Sequence, residues 1–259
     1  MNFNKIECET QDQVAIIRFN DPNVRNAIGN EMLGELKQAV ASIARPDSKA
    51  RCLLLTGVGR GFCSGANLSD SGGTSNIDGS LRGGYHPLFF TLRDLDIPIV
   101  TAVNGPAAGV GMSFALMGDI VCASKNAFFL QAFARIGLVP DGGSTFLLPR
   151  LIGWGRALEL SMLAERLPAE KALEWGLINR LYEDNEQLIE GAMEIAVRLA
   201  QGPASLGMIR RLYWASPHNA YEQQLDMEAR LQSEAGKTED NSEGVSAFLN
   251  KRDPQFKGR

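Results

Sequence analysis

The stretch IPIVTAVNGPAAGVGMSFALMGD, residues 97–119, decides the fold prediction. Its β-branched start, residues 97–103, runs into Asn104-Gly105-Pro106, which predicts a buried strand followed by a turn. Gly109 and Gly111 come next, and the apolar run behind them predicts a buried helix. A strand that passes through a glycine loop into a helix leaves free backbone N–H groups at the positive end of the helix dipole. Such a place stabilises negative charge, which can be a phosphate or an oxyanion formed during a reaction.

The composition is that of a soluble globular protein. With 259 residues, 44% of them hydrophobic and 22% charged, the chain can form one large domain, with or without a small appendage. Its net charge of −4 disfavours nucleic acid as a partner, so a phosphate-bearing ligand needs local basic residues. The first residues show no signal peptide and no apolar run is long enough for a membrane span, so we expect a cytoplasmic protein.

Several chemistries are disfavoured by spacing. The four cysteines (Cys8, Cys52, Cys63 and Cys122) are scattered, which predicts reduced, mostly buried thiols, and neither they nor the histidines cluster as metal ligands do. The GVGRG run at residues 57–61 is not followed by a helix, and no GK[ST] occurs, so nucleotide-binding loops are disfavoured. A serine hydrolase is disfavoured because GFCSG is not G-x-S-x-G.

The strands are predicted mainly in the first part of the chain and the helices dominate the last part, which indicates an α/β core with a helical C-terminal unit. We place the core at residues 1–200 and the helical unit at residues 201–259, with the boundary near Gly202-Pro203. The polar stretch 69–84 is predicted to be a long loop, either mobile and facing a substrate or disordered. The predicted strands are 6–10, 14–19, 51–56, 97–103, 120–123, 128–130 and 177–182. The predicted helices are 31–44 (capped by Asn30), 85–95, 112–117, 144–152, 157–164, 169–175, 186–201, 204–215, 220–235 and 242–251.

Five ordered motifs carry a family resemblance. They are GFCSGANL (61–68), AVNGPAAGVGMSFALMGDIVCAS (102–124), IGLVPDGGSTFLLPRLIG (136–153), A-x-x-A-L-E-W-G-L-I (169–178) and EGVSAFLNKRDPQF (243–256). Together they resemble the enoyl-CoA hydratase/isomerase (crotonase) superfamily over almost the whole chain. The resemblance implies a spiral of ββα units with a C-terminal helical trimerisation region, and a homotrimer or dimer of trimers. It also implies an acyl-CoA thioester substrate, so that coenzyme A is part of the substrate and no separate cofactor is needed.

The resemblance implies that two backbone N–H groups hold the thioester oxygen. They fall at Ala66 and at Val110, with Gly109 and Gly111 beside the second. Many relatives carry glycine at the Val110 place, which matters only if Val110 must take a positive φ. Two preorganised donors would stabilise the enolate that forms when a proton leaves next to the carbonyl, each being worth roughly 3–4 kcal/mol. The alternative is that these glycines serve close packing only.

Hydratases of this family resemble each other in two glutamates, and here those positions are Ser113 and Phe133. Neither side chain can do acid–base work on water, so ordinary two-glutamate hydration is disfavoured. Asp141, in VPDGG, stands where family members that shift a double bond carry an acid. An apolar wall would raise its pKa toward neutrality. The alternative is that Asp141 is a helix N-cap. Candidate neighbours for the wall are Phe128, Phe129, Phe133, Val139 and Phe146.

Within the superfamily the motifs look closest to the isomerases of phenylacetate degradation, which implies opening of an epoxide ring and shifting of enoyl-CoA double bonds. We therefore predict an acyl-CoA isomerase with Asp141 as acid and base. The alternatives are a hydratase with a non-standard acid and base, and a non-catalytic acyl-CoA binder.

The remaining expectations concern substrate and subunit contacts. Arg25 resembles the family's early edge for adenine or phosphate, and Lys251 with Arg252 resembles its C-terminal basic pair; the alternative for each is a solvated surface charge. His86 and His218 are expected to be a surface and a turn histidine. The predicted substrate-binding residues are Arg25, Ala27, Ser64, Asn67, Leu68, Gly109, Phe133, Phe248 and Lys251, and the apolar residues that suit subunit contacts are Leu206, Ile209, Leu212 and Leu225.

Overall fold

The computed structural model describes residues 3–70 and 76–259, and within them a mixed α/β fold is observed, as predicted. The part of the predicted 69–84 loop at residues 71–75 lies outside the described residues. The strands are β1 (Ile6–Gln11), β2 (Val14–Phe19), β3 (Cys52–Gly57), β4 (Ile99–Val103), β5 (Pro106–Ala108), β6 (Ile120–Ser124), β7 (Phe128–Leu130), β8 (Leu167–Pro168) and β9 (Arg180–Tyr182). The helices are α1 (Asn30–Ile43), α2 (Ile77–Ser80), α3 (His86–Arg93), α4 (Val110–Ala115), α5 (Ser144–Ile152), α6 (Trp154–Leu163), α7 (Ala169–Glu174), α8 (Asn185–Ala200), α9 (Ser205–Ala215), α10 (Tyr221–Ala235) and α11 (Glu239–Leu249).

The main sheet has the strand order β1-β2-β3-β4-β6-β9. The pair β1 and β2 is antiparallel, with Ile6 opposite Phe19, and every later pair is parallel. Asp12 and Gln13 both adopt positive φ, 48° and 64°, as a two-residue hairpin turn requires, so the predicted turn is confirmed. A second, smaller sheet has the order β5-β7-β8.

Strand β3 shows why the main sheet is covered on both faces. Successive side chains of a strand point to opposite faces. Leu53 and Leu55 belong to the larger apolar cluster, which also contains Met32 and Leu36 of α1. Cys52 and Leu54 belong to a second cluster on the other face. There α8 contributes Leu188, Ala192, Ala196 and Ala200, spaced so that they share one helix face. The uniformly apolar sequence of this strand therefore predicted its double burial correctly.

The structure corrects three local predictions. Residues 76–84 are not an extended loop, because α2 is followed by one π-helical segment, Leu81–Tyr85, that runs directly into α3. Asn30 is the first residue of α1 and not its N-cap; the N-cap is Gly29, and the Asn30 side chain donates to the Asp70 carbonyl at 3.3 Å. Strands β5 and β8 were not predicted, since each contains a proline and neither has a β-branched or aromatic residue that would favour a strand.

The helices after α8 are held to the sheet region by Arg210 of α9, which is almost fully buried. Its guanidinium contacts both carboxylate oxygens of Asp119 at 2.8 and 2.9 Å and donates to the carbonyls of Leu92 and Leu95. The Asp119 carboxylate and the two carbonyls compensate the positive charge of the buried Arg210 guanidinium. The division between residues 1–200 and 201–259 stays a prediction. None of the helices in the described part of the chain has the length and apolar character needed to cross a membrane.

Candidate active site

Two loops from distant parts of the chain meet beside α4. The segment through Cys63 pairs with β5, because Cys63 N donates to the Pro106 carbonyl and Ala108 N donates to the Cys63 carbonyl, each at 3.0 Å. Gly65, with φ of +109°, lies so close to β5 that a Cβ would stand 3.0 Å from the Ala108 carbonyl oxygen. A Cβ on Gly111 would meet the Cys63 carbonyl oxygen at 2.2 Å. These glycines are therefore needed for the close approach of the two backbones.

The two amides predicted to hold an oxyanion lie on these loops. Ile28 bonds to the residues on both sides of Ala66: Ile28 N donates to the Gly65 carbonyl at 2.8 Å, and the Ile28 carbonyl accepts from Asn67 N at 2.9 Å. Ala66 N itself has no protein acceptor among the described residues. Val110 is the first residue of α4, and its N–H likewise has no acceptor there. A Cβ on Gly109, the N-cap of α4, would stand 3.9 Å from the Gly65 Cα, so the loops are in contact. The structure therefore brings the two predicted amides into one neighbourhood.

The departure from glycine at Val110 carries no backbone strain. Positive φ occurs at Gly109, at +53°, and Val110 has an ordinary helical conformation. A valine therefore presents its N–H as a glycine would. Helix α4 contains only 6 residues, so the oriented amides of its first turn matter more than a long helix dipole. Val110, Gly111 and Met112 are all buried, so the first turn of α4 is shielded from bulk solvent.

Asp141 lies on the turn before α5 and is held there through its backbone. Its carbonyl accepts from Ser113 Oγ at 2.9 Å, from Ser144 Oγ at 3.0 Å and from Ser144 N at 3.2 Å. Its carboxyl is free of such bonds: Oδ1 is buried and has no hydrogen-bond partner among the described residues. Burial raises the pKa of this carboxyl from 3.8 to about 6. The helix N-cap interpretation is wrong, because Gly143 is the N-cap of α5 and no side chain caps this helix.

The apolar wall near Asp141 differs in part from the prediction. The ring of Phe89 lies 3.0 Å from where a Cβ on Gly142 would stand, and Phe133 lies 3.7 Å from the corresponding position on Gly109. Both phenylalanines are buried. Val139 is 79% exposed and does not contribute to the wall, and Phe128 packs against the Arg166 guanidinium at 4.6 Å. Phe89 was not predicted as a neighbour of Asp141. It lies on α3, which is distant in sequence, and the apolar periodicity of that helix does not indicate which turn it packs against.

Ser113 fills the place where a hydratase glutamate is expected from the resemblance. It is fully buried, and its hydroxyl donates a hydrogen bond to the Asp141 carbonyl. A Cβ on Gly142 would lie 2.6 Å from Ser113 Cβ, so the two residues are in direct contact. Gly142 also has φ of +60°, which favours glycine there. Any side chain at position 142 would therefore collide with Ser113.

Among the predicted substrate-binding residues, those between positions 25 and 68 lie close together. Ser64 N donates to the Arg25 carbonyl and Ser64 Oγ to the Val24 carbonyl, each at 3.0 Å, which brings Arg25, Ala27 and Ser64 next to the Ala66 segment. Arg25 itself is exposed and has φ of +52°. Asn67 accepts from Ser69 N at 3.1 Å, and Leu68 is exposed.

Phe248 and Lys251 stand apart from that group. Phe248 is 83% exposed at the end of α11, and Lys251 follows it with φ of +53°. Within residues 3–70 and 76–259, no hydrogen bond or ion pair links either residue to the turns that carry Ala66 and Asp141. Arg252 forms two short bonds to the Glu243 carboxylate, at 2.6 and 2.8 Å, which lower the pKa of that carboxyl to about 2. Arg252 is thus a paired surface cation.

Asn26 is a structural residue of the site that the sequence did not reveal. It is fully buried with φ of +59°, and its side-chain amide donates to the carbonyls of Val58, Gly61 and Phe62 while accepting from Asp21 N. It therefore fixes the turn that carries Arg25 against the 57–61 loop. The signal available was an asparagine in a turn sequence, which tolerates positive φ.

Metal and disulfide chemistry find no support in the described residues. These contain no group of three or more His, Cys, Asp or Glu side chains placed to bind a metal ion. The cysteines are free, and Cys52, Cys63 and Cys122 are buried as predicted. Burial raises the pKa of the Cys63 thiol to about 12, which makes it inert as a nucleophile.

Comparison with known proteins identifies the family. The sequence model of the enoyl-CoA hydratase/isomerase family matches residues 9–259. The chain belongs to the enoyl-CoA hydratase/isomerase family. It is 42% identical over 252 residues to the 1,2-epoxyphenylacetyl-CoA isomerase of Escherichia coli K12, covering 95% of each chain. It is 40% identical over 261 residues to a Rhodobacter capsulatus protein named "Probable enoyl-CoA hydratase", covering 100% of both. The crystal structure of an enoyl-CoA hydratase/isomerase from Cupriavidus metallidurans CH34 superposes with a TM-score of 0.91 at 31% identity, covering 100% of this chain and 98% of that one.

These matches confirm the predicted superfamily and the crotonase-type α/β fold. The chain is therefore an enzyme of the enoyl-CoA hydratase/isomerase family. Which of the two reactions it catalyses is a separate question, because the relatives carry both names.

Proposed function

We propose that this enzyme is an acyl-CoA isomerase that moves a carbon–carbon double bond through a thioester enolate. The observation that carries the proposal is the half-buried carboxyl of Asp141: its Oδ1 is buried without a hydrogen-bond partner among the described residues, and burial raises its pKa to about 6. A general base works best when its pKa lies near the working pH. A buried carboxyl oxygen without a partner is otherwise unfavourable for the folded state, so a catalytic use accounts for it.

In the proposed reaction the carboxylate of Asp141 removes a proton from the carbon next to the thioester carbonyl of a 3-enoyl-CoA. The electron pair moves to the carbonyl oxygen, which becomes an enolate oxygen bound by the N–H groups of Ala66 and Val110. The protonated Asp141 then returns the same proton to the fourth acyl carbon, at the far end of the dienolate. The thioester carbonyl forms again, and the remaining double bond lies between the second and third carbons. No water and no redox partner enters the balance.

The surroundings favour this reaction over hydration. Addition of water needs an acid and a base that act on the water molecule. At the two positions where the resemblance implies glutamates, Ser113 has its hydroxyl bound to the Asp141 carbonyl and Phe133 cannot exchange a proton. One carboxyl that both takes and returns a proton is sufficient for an isomerisation. We therefore prefer isomerase to hydratase and to a non-catalytic acyl-CoA binder.

The relatives add two further points. One is named 1,2-epoxyphenylacetyl-CoA isomerase, so opening of a ring epoxide next to a thioester, as in phenylacetate catabolism, is part of the proposal. The second is named as a hydratase, which makes a direct comparison of both reactions necessary. No separate cofactor is required, since coenzyme A arrives as part of the substrate.

Coenzyme A contacts and assembly are also proposals. Exposed Arg25, beside the Ala66 segment, is a suitable cation for a CoA phosphate, with Lys251 a second one. A homotrimer or a dimer of trimers would cover the exposed apolar residues of the C-terminal helices, such as Ile209 and Leu225, and those of α6, such as Trp154 and Met162. We expect the protein to act in the cytoplasm.

The experiment is to incubate the purified enzyme separately with 3-hexenoyl-CoA and 2-hexenoyl-CoA and to separate the products by liquid chromatography with mass detection. The proposal predicts interconversion of the two at unchanged mass and a loss of about 10²–10⁴-fold in Asp141→Asn. Asp226→Asn, an exposed carboxyl on α10, is the matched control and should retain full activity. Formation of a product heavier by one water would make the enzyme a hydratase, and no product from any thioester would favour the binder.

A further inference from the structure

A large cavity begins one residue from Asp141. Its volume is about 740 Å³, and Gly142 and Gly143 form part of its lining. Helices α3 and α5 provide one side, and α9 with α10 provides the other. Enzyme pockets for drug-sized ligands are of roughly this size, about 300–1,000 Å³. The reacting carbons of a butyryl thioester would leave most of this space unfilled.

The walls of the cavity are aromatic and apolar. The Phe146 ring stacks nearly parallel to two other rings of the lining, that of Trp214 at a centroid distance of 6.5 Å and that of His218 at 5.3 Å. Phe89 lies at the end next to Gly142, and Met117 and Met227 complete the apolar surface. Rings and thioethers present a large contact area to hydrocarbon and little to water.

The charged residues at this cavity occur as pairs. Arg93 contacts Asp94 at 2.7 Å, and Arg211 contacts Asp96 at 3.2 Å. Each arginine in the described lining therefore already has a carboxylate partner. A second carboxylate at the far end of an acyl group would have to compete with these acids, whereas an uncharged tail has no such disadvantage.

From these observations, and resting on the proposed function of Asp141, we propose that the cavity binds the uncharged hydrocarbon tail of the acyl group. The structure thereby assigns the enzyme to medium-chain acyl thioesters, with Phe146, Trp214, Ala215 and Met227 setting the accepted length. Short acyl groups and dicarboxylic acyl groups are bound more weakly at this site.

The test measures binding without chemistry, so that it stands apart from the isomerase proposal. Dissociation constants of butyryl-, hexanoyl-, octanoyl- and decanoyl-CoA, which have no double bond to move, are measured by isothermal titration calorimetry. Each added methylene that enters the cavity should tighten binding by up to about fourfold. Adipyl-CoA should bind at least about tenfold more weakly than hexanoyl-CoA, because its terminal carboxylate meets paired charges and an apolar wall.

Ala215→Trp fills the cavity from α9 and should weaken octanoyl-CoA at least about tenfold while butyryl-CoA changes less than about twofold. Ala229→Trp makes the same change at an exposed position of α10 and should alter neither. If Ala215→Trp does not fold by circular dichroism, Met227→Trp serves in its place, and the chain-length series of the unchanged enzyme decides alone if both fail.

Equal affinity for all four chain lengths would overturn the inference. An equal loss for butyryl- and octanoyl-CoA in a folded cavity variant would also overturn it. Activity that survives in Asp141→Asn would remove the proposed function and leave the chain-length result standing.

Discussion

Replacing Asp141 by asparagine is expected to raise stability at alkaline pH relative to acidic pH. Burial raises the pKa of this carboxyl from 3.8 to about 6 in the folded state. A group whose folded pKa is the higher one binds its proton more tightly in the folded state, so its ionisation destabilises the fold. The penalty is absent below pH 3.8, grows as the pH rises toward about 6 and is complete above that value. Asparagine cannot ionise, so the variant does not have this pH-dependent loss of stability.

The magnitude follows from the difference between the two pKa values. A shift of about two units corresponds to about 3 kcal/mol at about pH 8, where both states are ionised. At about pH 5 the unfolded carboxyl is ionised and the folded one is mostly protonated, which leaves about 1.6 kcal/mol. Between about pH 5 and about pH 8, the unfolding free energy of the variant should therefore rise by about 1.4 kcal/mol relative to that of the unchanged enzyme. This difference is independent of the free energy of burying the amide, which does not change with pH.

The assay is urea unfolding of both proteins at one subunit concentration, followed by circular dichroism at about pH 5 and about pH 8. Asp226→Asn removes an exposed carboxyl of α10 and should show no pH-dependent gain. The reasoning is refuted if the difference in unfolding free energy between Asp141→Asn and the unchanged enzyme is the same at both pH values. It is also refuted if that difference is larger at the lower pH.

Three further predictions concern the same site. The kcat/KM for isomerisation should rise about tenfold per pH unit below pH 6 and level off above it, because the base must be ionised; a flat profile would exclude Asp141 as the base. Ser113→Glu should lower the unfolding free energy by several kcal/mol without creating hydration, since it puts a longer, charged side chain at a fully buried position in contact with Gly142, and water addition by a folded variant would contradict this. Asn26→Ala should lower the unfolding free energy by about 2–3 kcal/mol, with exposed Asn23→Ala near zero, and equal effects would refute the assigned role.

Much of the fold could be predicted because its signals are local. The apolar run of β3 predicted a strand covered on both faces, and the structure has α1 on one side and α8 on the other. Gly109 and Gly111 were predicted to form a loop between a strand and a helix, and in the structure they lie against the backbone of Gly65 and Cys63 at the start of α4. In each case the residue's own conformational requirement, or its immediate neighbours, contained the information.

What the sequence did not reveal depends on partners far away in the chain. Asn26 bonds to carbonyls more than 30 residues away, and Arg210 reaches Asp119 across 91 residues. The exposed position of Val139 and the contact of Phe89 with Gly142 are likewise products of packing. The N-cap interpretation of Asp141 failed for a related reason. A turn held by Ser113 and Ser144 through the Asp141 carbonyl leaves its carboxyl unbonded, and no local rule predicts which group the turn will use.

The most direct test of the central claim is a crystal structure of the enzyme with octanoyl-CoA bound. The account predicts the thioester oxygen within about 2.7–3.1 Å of both Ala66 N and Val110 N. It also predicts an oxygen of the Asp141 carboxyl about 3–3.5 Å from the carbon next to the carbonyl. A thioester oxygen bound by neither amide, or an Asp141 carboxyl turned away from that carbon, would contradict it.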